Sequence, residues 1–177
     1  MAVKFYEPSS SYKKALFNLQ SGDKIIATGL AGDFVLPKNT KIPLVFIAGG
    51  IGITPFRSMI EDIVERKQQV DICVIYANKG VEDIVFKEEL ERARNLGVKT
   101  FYVLTDKSKI PSDWSGLTGH IDTEMIKKAI PDFSNRVFYI SGPQLMVQNF
   151  EKMLRDLRVK KRQIKSDFFP GYVETGA

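Results

Sequence analysis

The sequence predicts an α/β fold: an open parallel sheet with helices on both faces. Three observations predict it. Short, continuously apolar runs recur after residue 42 and alternate with amphipathic stretches, as strands buried on both faces alternate with the helices that cover them. A glycine-rich turn, Gly49-Gly50-Ile51-Gly52, lies between the first apolar run and the first amphipathic stretch. A second turn, Ser141-Gly142-Pro143, repeats that arrangement nearer the C-terminus.

Taken in order, Ser9, Ser10 and Ser11 precede a helix-forming run at 12–19, and serine before such a run is an N-cap signal. Ser21-Gly22-Asp23 reads as a turn. Residues 24–27 and 33–36 read as two short strands. The polar stretch 38–41 follows Pro37 and marks a boundary, giving a first region at 1–40 and a second at 41–177. In the second region the expected strands are 43–48, 71–77, 99–105, 136–141 and 163–168. The helix at 55–66 carries Ile60, Ile63 and Val64 at helical spacing, and that at 84–96 sets Phe86, Leu90 and Ala93 on one side. Asp122 is the N-cap signal for a helix at 122–130. The last helix, 144–157, has Val147, Phe150, Met153, Leu154 and Leu157 as its apolar face.

Composition excludes several classes. The chain has 177 residues, a formal charge of +5, one cysteine and one histidine. A lone cysteine builds neither a disulfide framework nor a thiolate metal cluster. Cys73 sits in the apolar run DICVIYA and reads as a buried hydrophobe, and His120 lacks companions at ligand spacing. No apolar run is long enough to span a bilayer, and no secretory signal opens the sequence, so a cytoplasmic or cytoplasm-facing location is expected. Ser141 has no histidine base placed by a recognisable motif, which argues against a hydrolase.

The turn Ala48-Gly49-Gly50-Ile51-Gly52-Ile53-Thr54-Pro55 is the strongest motif. It follows a strand and opens a helix, the context in which glycines let a pyrophosphate approach backbone N–H groups at a helix start. Thr54 suits the N-cap and Pro55 the first helical position. Pro55 also stands where a standard dinucleotide fingerprint has its third glycine. Ser141-Gly142-Pro143 would bring a second set of small residues to the same rim, where ligands of open parallel sheets bind.

AGGIGITPFRSM, the later SGPQLM and the terminal DFFPGY together resemble the NAD(P)-binding domain of ferredoxin–NADP reductase-like flavoenzymes. The stretch 10–37 resembles the tail of their flavin-binding barrel. The resemblance implies a Rossmann-like sheet preceded by a remnant of an antiparallel β-barrel. It implies an NAD(P)H-dependent oxidoreductase that passes hydride from NADH to FAD and electrons onward to an acceptor. Gly49, Gly50, Gly52, Thr54 and Pro55 would then lie at the pyrophosphate, and Gly142, Pro143 and Met146 beside the nicotinamide. Ser141 stands where family members usually carry a cysteine near the hydride-transfer site. Ser10 or Ser11 would help hold the flavin diphosphate, and Phe168, Phe169 and Tyr172 would cover the flavin ring. The barrel's early strands and its Arg-x-Tyr-Ser-type signature do not occur in this sequence, so a truncated chain or a fragment of a larger polypeptide is expected.

Cofactor choice is read at 76–84, which includes Asn78, Lys79 and Asp83. Asp83 would accept a ribose hydroxyl and repel a 2′-phosphate, which favours NADH; Lys79 would instead bind that phosphate and favour NADPH. Asp83 is also compatible with a plain helix N-cap before Ile84. Lys152, Arg155, Arg158, Lys160, Lys161, Arg162 and Lys165 crowd one region. They suit a solvated helix end or a docking patch for an acidic electron carrier, and not nucleic acid, for which no recognition helix or aromatic platform accompanies the charge. The competing function is a dinucleotide-binding regulatory or interaction module without flavin.

Overall fold

The computed structural model describes residues 9–26 and 32–169. The chain divides into two compact units, Met1–Asp33 and Phe34–Ala177. In the first, helix α1 spans Ser11–Phe17, and the Ser10 hydroxyl accepts from the Lys13 N–H at 3.3 Å. This is the serine cap that the sequence announces.

In the second unit β1 is Leu44–Gly49, α2 Ile53–Glu65, β2 Ile72–Asn78, α3 Lys87–Arg92 and β3 Val98–Leu104. Then follow β4 (Leu117–Thr118), α4 (Thr123–Ala129), β5 (Val137–Pro143), α5 (Gln144–Asp156) and β6 (Ile164–Phe169). The strands form one six-stranded sheet in the order β4-β3-β2-β1-β5-β6, and every pairing is parallel. All six residues of β1 are buried because helices cover both faces. Phe46, Val74, Tyr76 and Tyr139 pack with Phe56, Ile60 and Ile63 of α2 and Leu90 of α3 on one face. Val45, Ile47, Ile75 and Ile140 pack with Ile126 of α4 and Val147, Phe150 and Leu154 of α5 on the other. The period of two along each strand sorts these side chains between the faces.

The expected strand at 33–36 forms no ladder. Its residues are held by side chains instead. Phe34 packs edge-on against Tyr139 at 5.3 Å between ring centroids, and the Tyr139 hydroxyl donates to the Val35 carbonyl at 2.8 Å. Residues 24–26 are likewise outside any strand, and Ala27 lies outside the described residues. The long helix expected at 84–96 is shorter, because Ile84 is extended and Phe86 takes a left-handed φ of 58°. The helix therefore starts at Lys87, and it passes into a 3₁₀ turn at Ala93–Leu96 that ends on Gly97 at φ 95°. The two-residue strand β4 carries too little pattern to read from sequence.

At the N-terminal end of the sheet Arg136 joins three segments. Its guanidinium takes Asp71 in a two-point pair at 2.8 and 3.0 Å and Asp132 at 2.8 Å. Its side chain is 8% exposed, while those of Asp71 and Asp132 are 58% and 48% exposed. Burial works against the guanidinium charge, but the bonds to Asp132 and Asp71 outweigh it and hold the group protonated. The same contact keeps the Asp132 carboxyl below the usual aspartate range.

Candidate functional site

The opposite, C-terminal end of the sheet carries the two glycine turns. They are joined to each other. β1 lies between β2 and β5, with Ala48 opposite both Tyr76 and Ser141. A Cβ on Gly52 would overlap the Ser141 carbonyl and the Gly142 Cα, which are backbone atoms with nowhere to move. A Cβ on Gly49 would meet the Met146 sulfur. Gly52 is thus required by close approach of the protein to itself, whereas at Gly49 the flexible end of Met146 is what would have to yield. Gly50 differs: its φ is 52°, and nothing lies within 4 Å of where its Cβ would be. It is the member of the motif whose bare face is open.

Thr54 and Pro55 are placed otherwise than expected. A 3₁₀ turn at Gly50–Gly52 runs straight into α2, whose first residue is Ile53, so Gly52 is the cap. Gly52 is already helical (φ −59°, ψ −10°), which leaves no extended position for Thr54 to occupy. The Thr54 hydroxyl donates back to the Ile51 carbonyl at 2.8 Å and does not cap an amide. Pro55 still lies in the first turn, where a missing N–H costs no helix bond.

Ser141 lies two residues before the end of β5, and Asn78 ends β2. Ser141 is wholly buried and Asn78 is 4% exposed. Neither the Ser141 hydroxyl nor the Asn78 side-chain amide finds a hydrogen-bond partner among the described residues. Such groups cost about 1–3 kcal/mol each when unsatisfied; Ser141 and Asn78 bring theirs to this rim, while Arg57 and Thr100 carry others elsewhere in the unit. Met146 is half-buried, and Pro143 is exposed at the start of α5.

Asp83 is not a helix cap. It closes a 3₁₀ turn at Val81–Asp83, and its carboxylate accepts from the Gly80 N–H at 3.4 Å. Tyr76 braces the loop from below, its hydroxyl donating to the Asp83 carbonyl at 3.5 Å and accepting from Val85 N–H at 3.4 Å. Lys79 is exposed beside it.

Residues 46–152 match the family model described as the oxidoreductase NAD-binding domain. The chain belongs to this family. The resemblance to ferredoxin–NADP reductase-like enzymes holds accordingly. The Na(+)-translocating NADH-quinone reductase of Pseudomonas aeruginosa has a component that is 33% identical over 171 residues, covering 93% of this chain and 41% of that protein. The crystal structure of the Amycolatopsis cytochrome P450 reductase superposes with a TM-score of 0.72 at 25% identity, over 86% of this chain and 46% of that one. The cytochrome b5 reductase domain of Ulva prolifera nitrate reductase shares the fold, with a TM-score of 0.75 at 22% identity over 90% and 64% of the two chains. This NAD-binding domain spans about two fifths of the length of the curated relatives it matches.

Within the NAD-binding unit, Phe168 and Phe169 end β6 opposite Gly142 and Pro143, and both are exposed. Tyr172 lies outside the described residues. In the first unit Ser11 opens α1, while the Ser10 hydroxyl is already engaged as its cap. Of the basic cluster, Lys152 and Arg155 pair with Asp156 and Glu151. Arg158, Lys160, Lys161 and Arg162 are exposed between α5 and β6, at the end of the sheet opposite the glycine turns. Lys165 lies over the Tyr139 ring at 5.3 Å. Cys73 is buried, which pushes its thiol up and leaves it protonated. No helix among the described residues is long and apolar enough to cross a membrane.

Sequence reasoning missed the loop after β3. Thr105, Asp106 and Lys109 reach the Asn78–Asp83 loop. The signal was available: residues 105–109 follow a parallel strand and so belong to the same rim.

Proposed function

We propose that this chain binds NADH across the C-terminal rim of its sheet and turns the nicotinamide toward FAD, so that the protein oxidises NADH and passes electrons to an acceptor. The contact of Gly52 with Ser141 and Gly142 carries the reading, because it fuses two strand-to-helix turns into one surface with the open Gly50 at its centre. The residues suit the cofactor. Backbone N–H groups of the 3₁₀ turn and the first turn of α2 favour a pyrophosphate. Ser141 and Asn78 offer hydrogen-bonding groups that the described residues leave unused. Phe168 and Phe169, beside Gly142 and Pro143, alternate between the two sides of β6, so either one gives a ring an apolar surface to lie against. The nicotinamide and flavin supply the redox chemistry when bound. The chain's own residues fix their approach and keep water away; no acid–base residue is required.

Asp83 supports NADH over NADPH. Its carboxylate sits at the end of β2, held by the Gly80 N–H, where it accepts a ribose hydroxyl and opposes a 2′-phosphate. Calorimetric titration of NADH and NADPH into the chain and into Asp83→Asn tests this. The amide keeps an acceptor for Gly80 and loses the charge. NADH binding with a preference that narrows in Asp83→Asn is the expected result. An NADPH preference in the unaltered chain would transfer the role to Lys79.

A further inference from the structure

The loops after β2 and β3 are fastened together beyond the end of the sheet. The Thr105 N–H and hydroxyl both donate to the Asn78 carbonyl, at 2.9 and 3.1 Å, and the Asp106 N–H donates to the Lys79 carbonyl at 3.3 Å. Lys109 Nζ then crosses to Glu82 Oε1 at 2.9 Å. Gly80 makes room for this reach, since a Cβ there would fall on the Glu82 carboxylate. Its backbone, at φ −136° and ψ 174°, is open to any residue, so the missing side chain serves space and not conformation.

The other carboxylates of this corner are engaged inside their own loops. Asp83 holds the Gly80 N–H, and Asp106 accepts from the Ser108 N–H and hydroxyl at 3.0 and 2.7 Å. Lys79 and Lys107 are exposed, and neither has a carboxylate within ion-pair distance among the described residues. Lys79 and Lys109 thus stand at this corner, and Glu82 is ion-paired to Lys109.

We propose that Glu82 is a resident anion on Lys109, seated over Gly80, which closes this corner to a 2′-phosphate and so selects NADH over NADPH. The inference rests on the reading that the adenosine ribose lies at Asp83. Lysine clusters bind phosphate dianions well. Here a 2′-phosphate reaching Lys109 meets a carboxylate already bonded to that ammonium, and has either to displace it or to bind beside its charge. A ribose diol, being uncharged, incurs neither cost. Asp83 acts on the ribose directly, whereas Glu82 acts through Lys109.

The test is titration of NADH and NADPH into the chain and into Glu82→Gln, Gly80→Ala and the double variant Glu82→Gln with Lys109→Met. Glu82→Gln should raise NADPH affinity roughly five- to tenfold and move NADH less than about twofold. Gly80→Ala should move NADPH in the same direction by less, because its Cβ unseats the carboxylate without neutralising it. Lys109→Met in the Glu82→Gln background should return NADPH affinity to its starting value. A gain that survives Lys109→Met would overturn the proposal, as general charge removal would then explain it. Unchanged NADPH affinity in Glu82→Gln, with NADH still bound, would overturn it too and leave the ribose reading standing. Failure of the unaltered chain to bind either dinucleotide would overturn both.

Discussion

Side chains tie off the polar groups at the N-terminal end of the sheet and leave them untied at the C-terminal end, although the same strands build both. At the first, Arg136 takes two carboxylates and the Leu44 carbonyl, and Gln163 ties off the Ser134 and Arg136 carbonyls at 3.0 and 2.9 Å. At the second, Ser141 and Asn78 bury polar groups that the described residues do not satisfy, and Gly50 presents bare backbone. Parallel strands make this division natural, because each delivers its C-terminal end to the start of the following helix, where N–H groups lack internal partners. Holding the sheet together and binding a ligand are thus assigned to opposite ends. A perturbation at one end should register chiefly in stability, and at the other chiefly in affinity.

The sharpest exception to that division is Gly52, which lies at the binding end but packs against backbone. Gly52→Val should lower unfolding free energy by about 3 kcal/mol or more, as overpacking against atoms that cannot yield. Denaturant unfolding checks it, and a variant of unaltered stability would separate the two turns that the site depends on. Arg136→Met should come next, with a loss of about 2–3 kcal/mol. That is less than a fully buried pair costs, because Asp71 and Asp132 remain about half in water. NADH affinity of the folded variant should stay within about twofold, since the change is at the far end. Gly50→Ala should reverse the pattern: about 1–2 kcal/mol of stability for a left-handed alanine, but roughly tenfold weaker NADH binding. Equal NADH affinity there would remove Gly50 from the site.

The smallest effect concerns acid. The folded Asp132 carboxyl titrates below its ordinary value of 3.8 because Arg136 bonds to it. Its stabilisation is therefore complete above the unfolded value and is lost as pH falls through and below 3.8. Half-exposed, it should contribute about 0.5 kcal/mol. Stability measured from pH 6 to pH 2 (roughly the span over which a carboxyl titrates) should fall less in Asp132→Asn than in the unaltered chain.

Much of this was legible beforehand. PLVFIA at 43–48 and RVFYIS at 136–141 read as buried strands because an unbroken apolar run has few other homes, and they became the core of β1 and β5. Ser10 and Asp122 announced their helices because capping is local chemistry. Phe34 and Leu36 carried strand-like pattern, yet they pack on the core without a ladder, since a ladder needs a neighbour that pattern cannot supply.

The sequence by itself determined the alternation of strands and helices, the faces each buries and the two strand-turn-helix glycine sites, because these follow from periodicity and backbone preference over a few residues. Tertiary structure alone decided which glycine serves the fold and which stands open, that Arg136 meets Asp71 across 65 positions, and that Lys109 reaches Glu82 across 27. Those outcomes depend on sheet order and register, which bring distant segments within a few ångströms and leave no local trace in the chain.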